Sequence, residues 1–65
     1  MVKYFVFESS VLTSYRRDLI NFDVAQSELI GYLKCMFDMG VIEQDRMSEE
    51  VERVTKRLLD WELRK

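Results

Sequence analysis

A glycine at position 40 separates two stretches of helical sequence, and this arrangement limits the fold more than any other feature of the chain. From Asp23 to Met39 apolar residues recur at intervals of three and four, and the same spacing returns after the glycine. Glycine adopts without strain the left-handed conformation that commonly ends a helix. The sequence therefore predicts helices over residues 23–40 and 45–65, folded together as an antiparallel hairpin.

The two predicted helices differ in the width of their apolar faces. The first has the broad stripe Ala25, Leu29, Ile30, Leu33, Met36 and Phe37, bordered by Tyr32 and Met39. The second has the narrow seam Val51, Val54, Leu58 and Trp61. Because the broad stripe exceeds what the seam can cover, it predicts contact with a further neighbour. Asp23 and Gln26 fit a capping box, and Gly31 indicates a close approach of another helix.

The N-terminal residues predict a strand or an extended arm over residues 1–9. Their apolar run, residues 2–7, is rich in aromatic and β-branched side chains. From Ser10 the spacing becomes helical, which predicts a first helix over residues 10–22. The alternative is that residues 2–7 extend this helix, since short apolar runs occur in both structures. The predicted fold is one small, mainly α domain: a strand or arm followed by three helices.

Few means of stabilisation are open to so short a chain. With 65 residues, it buries only about 60% of the surface that its unfolded form exposes. Cys35 is its one cysteine and it has no histidine, which excludes an intramolecular disulfide and a structural zinc site. Small domains without such supports commonly associate. The sequence therefore predicts a homodimer or higher homo-oligomer, with no metal or cofactor.

The cellular compartment is predicted from the same features. The apolar run at the N-terminus has six residues, too few for a signal-peptide core or a membrane span. A single cysteine fits a reducing compartment. We expect a cytoplasmic protein that does not bind membranes.

Enzymatic chemistry finds little support in the composition. Without histidine the chain lacks the most common general base. Lys34 is adjacent to Cys35 in sequence, but adjacent residues on a helix do not face each other. We therefore expect no nearby charge to lower the pKa of the Cys35 thiol and activate it. The acidic residues Glu49, Glu50 and Glu52 lie where they complement the dipole of the last helix, and we expect them to form a solvated face. The chain is predicted not to be an enzyme.

The surplus of apolar surface predicts a protein–protein interaction module, most concretely a regulator or inhibitor of a larger protein. From the size of the chain, and from no motif, we expect an origin in a phage or mobile element. Large apolar side chains that the core does not use carry most interface energy. The predicted partner-binding residues are Tyr32, Met36, Met39, Leu58, Trp61 and Leu63.

The alternative is a dimeric DNA-binding regulator. A strand followed by helices resembles, in element order, the ribbon-helix-helix repressors. That resemblance implies two paired strands that enter the major groove. Positive charge also collects on the last helix, at Arg53, Lys56, Arg57, Arg64 and Lys65. The net charge of −2 and the aromatic N-terminal run favour the protein-binding hypothesis.

Overall fold

The structure, a computed structural model, describes residues 2–64, and within them it has three α-helices and no strand. Helix α1 is Val2–Arg16, α2 is Phe22–Asp38 and α3 is Gln44–Arg64. Helices α1 and α3 both pack on α2. The prediction of a mainly helical fold with three helices is confirmed. None of the three is long and apolar enough to cross a membrane.

The predicted N-terminal strand is wrong, because residues 2–7 form the first turns of α1. The buried side chains of α1 follow helical spacing: Tyr4, Glu8, Val11, Leu12 and Tyr15. Val2 and Val6 point away from the core and are 78% and 67% exposed. The apolar run is therefore divided between the buried and the exposed face of α1. Of the two predicted alternatives, the one in which residues 2–7 extend the first helix is observed.

Gly40 ends α2 as predicted. Its φ of 74° lies in the left-handed region. Its N–H donates to the carbonyl of Phe37 at 3.0 Å, and the N–H of Val41 donates to the carbonyl of Met36 at 2.9 Å. These are the two hydrogen bonds of a Schellman motif, which satisfies carbonyls at the end of a helix.

The α1–α2 connection contains a second left-handed residue and a cap that differs from the prediction. Asp18, with φ 59°, ends α1 much as Gly40 ends α2. The side chain of Asn21 caps α2, since its Oδ1 accepts a hydrogen bond from the Val24 N–H at 2.9 Å. The predicted cap at Asp23 is therefore wrong: that residue already lies in the first turn.

The core lies where α1 and α3 meet the inner face of α2. Its apolar members are Tyr4, Val11, Leu12, Tyr15, Ala25, Leu29, Leu33, Met36, Val54 and Leu58. The predicted stripe and seam thus supply most of it. Gly31 lies outside it, with no atom within 4 Å of where its Cβ would be. The predicted close helix approach at Gly31 is therefore wrong.

The two glycines predict substitution effects of opposite sign. Gly40→Ala is expected to destabilise the fold by about 1 kcal/mol, since a left-handed conformation costs a residue with a Cβ roughly that much. Gly31→Ala is expected to stabilise it by up to about 1 kcal/mol, because alanine is the better helix former and the site is open. Urea unfolding of both variants checks this. A shift of the same sign for both would contradict the assignment of Gly40 as a left-handed terminator.

Candidate functional site

An open apolar groove lies where the start of α1 meets the end of α2. One hollow, about 490 Å³, is lined by Val2, Lys3, Tyr4, Tyr32, Met36, Met39 and Val41. A second, about 260 Å³, is lined by Tyr32, Cys35, Met36 and Met39. Three lining residues are common to both hollows, so they form one surface. We call these eight residues the methionine groove.

The α2 side of the groove follows from helix geometry. Tyr32, Met36 and Met39 are spaced by four and three residues, which places them on one face. The Tyr32 ring stacks on Phe7 with ring centroids 4.8 Å apart and lies 5.5 Å from the ring of Tyr4. One wall of the groove is therefore a packed aromatic cluster.

The other side chains of the groove are unusually exposed for apolar residues. The exposed fractions are 78% for Val2, 70% for Met39 and 55% for Val41. Lys3 is the one charged residue in the lining. Cys35 is an exposed free thiol whose Sγ lies 3.7 Å from the Met39 Sδ. The groove combines a packed aromatic wall with the exposed, flexible side chain of Met39, whereas Met36 is only 8% exposed and also belongs to the core.

The structure divides the six predicted partner-binding residues into two sets. Tyr32, Met36 and Met39 come together in the methionine groove. Leu58, Trp61 and Leu63 do not line it.

The three residues from α3 have different surroundings from one another. Leu58 is fully buried in the core, so it offers no surface to a partner in this fold. Trp61 is half-buried and stacks on Tyr15. Leu63 is 86% exposed near the end of α3. Sequence reasoning missed Val2, which it placed in a strand or arm, and Val41, which follows the helix-ending Gly40.

A buried ionic network joins α1 to α3. Glu8 and Glu50 are only 6% and 7% exposed. The Arg53 guanidinium donates to Glu8 Oε1 at 2.6 Å and to Glu8 Oε2 at 3.1 Å, a bidentate arrangement. Its Nε donates to Glu50 Oε2 at 2.8 Å. The hydrogen bonds from Arg53 to Glu8, above all, raise the pKa of Arg53 beyond its usual high value.

The expectation that Glu50 lies on a solvated face is wrong, since Arg53 draws it into this network. Sequence reasoning did not identify Glu8 as a buried partner of Arg53, because it placed residues 1–9 in a strand or arm. The local signals of the network were the spacing of Glu50 and Arg53 by three residues and that of Arg46 and Glu50 by four.

A phenol lies beside the network. The Tyr4 hydroxyl is buried near Glu8 and forms no hydrogen bond of regular geometry among residues 2–64. Burial, and next the negative charge of Glu8, raise the pKa of Tyr4 above its usual value near 10. Tyr4 therefore remains neutral at physiological pH and contributes its ring to the core and the groove wall.

No metal-binding arrangement is formed by the residues from Val2 to Arg64, where no three carboxylate or thiol side chains converge. The chain matches no family model, no curated protein and no solved structure. The function proposed below therefore depends on the geometry of the methionine groove.

Proposed function

We propose that this protein is a small, non-enzymatic interaction module that binds an apolar helical segment of a partner protein in the methionine groove. One observation carries the proposal: joined hollows of about 490 and 260 Å³ are lined almost wholly by apolar side chains. Contiguous apolar surface of this kind on a small domain is typical of binding sites.

The shape and chemistry of the groove favour a helix as the occupant. Its α2 side extends over two helical turns, from Tyr32 to Met39, or about 10 Å at 1.5 Å per residue. A helix that presents apolar side chains at intervals of three and four fits a groove of that length. Lys3 lies in the lining and favours an acidic residue beside the apolar face of the partner. We therefore propose an amphipathic partner helix with an acidic flank.

The mode of action that fits this size is occupation of a partner's surface, as in a regulator or inhibitor. The exposed thiol of Cys35 supports a reducing, cytoplasmic setting.

We also propose that the protein self-associates when its partner is absent. In that state the groove of one copy would pack against the groove of a second copy. A stable interface of ordinary size buries about 800 Å² on each partner. This is roughly a sixth of the 4619 Å² surface of the chain. Two copies that pair through their grooves would cover Val2, Met39 and Val41, which a monomer leaves exposed.

We also infer that α2 and α3 form the predicted antiparallel hairpin. Glu8 contacts Arg53 and Tyr15 contacts Glu62, an order that supports α1 and α3 running in the same direction. The start of α1 lines the groove together with the end of α2, which supports opposite directions for that pair. The groove then lies at one end of the bundle, and the ends of α1 and α3 lie at the other.

The ribbon-helix-helix alternative loses its main support. Its element order needs an N-terminal strand, and residues 2–7 are helical. The first turns of α1 carry Lys3 as their one basic residue. We therefore do not extend the proposal to DNA binding through the N-terminus.

Site-specific photocrosslinking tests the proposed groove. A photoreactive residue at Met39 is expected to crosslink a specific partner in source cells, whereas one at Leu63 is not. Leu63 is the matched control because it is apolar, even more exposed at 86%, and outside the groove. Crosslinks that join only copies of this chain would instead assign the groove to self-association.

The crosslinked protein is then purified and titrated with variants of this chain. Met39→Glu is expected to weaken binding at least tenfold, since a charge in an apolar contact costs about 1.4 kcal/mol or more. Leu63→Glu is expected to bind like the unmodified protein. Equal affinities for the two variants would contradict the proposed groove.

A further inference from the structure

A second, polar site lies at the other end of α1, around Trp61. This residue is the only tryptophan of the chain. Its ring is parallel to that of Tyr15, at 3°, with centroids 6.4 Å apart. The guanidinium carbons of Arg16 and Arg57 lie 4.4 Å and 5.7 Å from the centre of the Trp61 ring. These cation–π contacts hold two guanidinium groups from different helices near one another.

A small pocket opens between these groups. Its volume is about 120 Å³, and it is lined by Ser9, Leu12, Thr13, Arg16, Arg57 and Trp61. We call it the arginine pocket. Ser9 and Thr13 are one helical turn apart on α1, with Arg16 three residues further, so all three share a face. The lining offers two hydroxyls and two guanidinium groups as hydrogen-bond donors, and it contains no carboxylate.

The positive charge in the arginine pocket is not neutralised within the part of the chain that the structure describes. Four other cationic side chains pair with carboxylates, as Arg53 does with Glu8 and Lys56 does with Glu52, and the remaining ones among residues 2–64 do not line a pocket together. Arg16 and Arg57 form no ion pair among residues 2–64. In a chain of net charge −2, two uncompensated arginines over one pocket favour an anionic ligand from outside.

We infer that the arginine pocket binds a single phosphate monoester group. A tetrahedral oxyanion accepts several hydrogen bonds at once, and planar guanidinium groups bind phosphate oxygens in pairs. A monoester carries close to two negative charges at neutral pH, which matches the two free guanidinium groups. The hydroxyls of Ser9 and Thr13 would supply further donors.

The rest of the ligand has a place beside the pocket. A neighbouring hollow of about 270 Å³ is lined by Tyr15, Arg16, Trp61 and Arg64. It shares Arg16 and Trp61 with the arginine pocket, so an organic group attached to the phosphate would contact the indole. Both a phosphorylated side chain and a small phosphate ester have this chemistry.

A nucleic-acid backbone fits the site less well. Strong binding of a polyanion requires several phosphate contacts along a basic stripe. The chain has 10 basic and 12 acidic residues. The Arg64 side chain beside the pocket is already paired with Asp60 at 3.0 Å. One local pocket in an acidic chain favours one phosphate group.

Fluorescence of Trp61 reports on this site directly, because no other tryptophan contributes. Phenyl phosphate is expected to produce a saturable change in emission. Arg57→Gln is expected to weaken binding at least tenfold, whereas Arg17→Gln, an equal loss of charge at an exposed residue outside the pocket, is expected to have little effect. Thr13→Val, which keeps side-chain shape and removes one donor, is expected to weaken binding severalfold and covers the case that Arg57→Gln does not fold.

Further titrations distinguish the sources of the phosphate. A phosphoserine peptide that binds more tightly than phenyl phosphate would support a protein-borne group, and the reverse order would support a small ester. The absence of saturable binding by any monoester would overturn the proposal, as would equal affinities of the Arg57→Gln, Thr13→Val and Arg17→Gln variants. Tighter binding of a single-stranded oligonucleotide, with a steep salt dependence, would overturn it in favour of nucleic acid. None of these results depends on the methionine groove.

Discussion

Arg53→Met is expected to lower the free energy of unfolding by about 3 kcal/mol, since it leaves the buried Glu8 carboxylate without an ion pair and leaves Glu50 paired only with the exposed Arg46. Glu8 and Glu50 would remain within the protein with side chains only 7% and 10% exposed. The estimate is at the low end of the range for buried pairs because the Arg53 side chain is itself 39% exposed. A core of this size supplies about 3–5 kcal/mol in all, so the variant should retain no more than about 2 kcal/mol of stability.

Urea unfolding followed by circular dichroism measures this effect. Lys56→Met is the matched control: it breaks an ion pair to Glu52 of 3.2 Å whose side chains are 74% and 69% exposed. It should cost less than about 1 kcal/mol. A similar small loss in Arg53→Met would show that the buried network does not stabilise the fold.

Replacement of the whole network separates the cost of unpaired charge from the cost of lost packing. The triple variant Glu8→Leu, Glu50→Leu, Arg53→Met removes all three charges together. Apolar replacement of a buried ion-pair triad is often neutral or stabilising. The triple variant is therefore expected to be more stable than Arg53→Met alone. An equal or lower stability would mean that lost side-chain packing, and not unpaired charge, destabilises Arg53→Met.

Local signals explain which parts of the fold could be predicted from the sequence. The ends and faces of α2 and α3 depend on residues three and four apart and on one glycine, and both kinds of signal are visible in the chain. Gly40 was predictable because few residues other than glycine adopt its φ of 74° readily. Tyr32, Met36 and Met39 could be grouped for the same reason, since their spacing puts them on one helix face.

Long-range contacts explain what could not be predicted. Residues 2–7 have strand-like composition, but Tyr4 and Glu8 are one helical turn apart, both are buried, and both contact side chains of other helices. The partner of Glu8 is 45 residues away. Strand propensity is weak where packing decides. The arginine pocket is equally hidden, because it joins Ser9 and Thr13 on α1 to Arg57 on α3.

The rotation of α3 about its own axis is the second property that sequence spacing leaves open. Leu58 and Leu63 are both leucines near the end of one helix, and both were predicted to bind a partner. In the structure one is fully buried and the other is 86% exposed. Which leucine faces α2 depends on how the whole seam packs. The apolar stripe of α3 is broad near the end of the helix, so the sequence alone does not determine which leucine is buried.

Leu58→Ala is therefore expected to lower the free energy of unfolding by about 3 kcal/mol, through the lost transfer energy and the cavity that remains. Leu63→Ala, the same change at an exposed position, should stay within about 0.5 kcal/mol of the unmodified protein. Thermal and urea unfolding of the two variants measure the difference. If Leu58→Ala kept full stability and lost only partner binding or self-association, Leu58 would be a surface anchor, and the packing of α3 on α2 described above would be wrong.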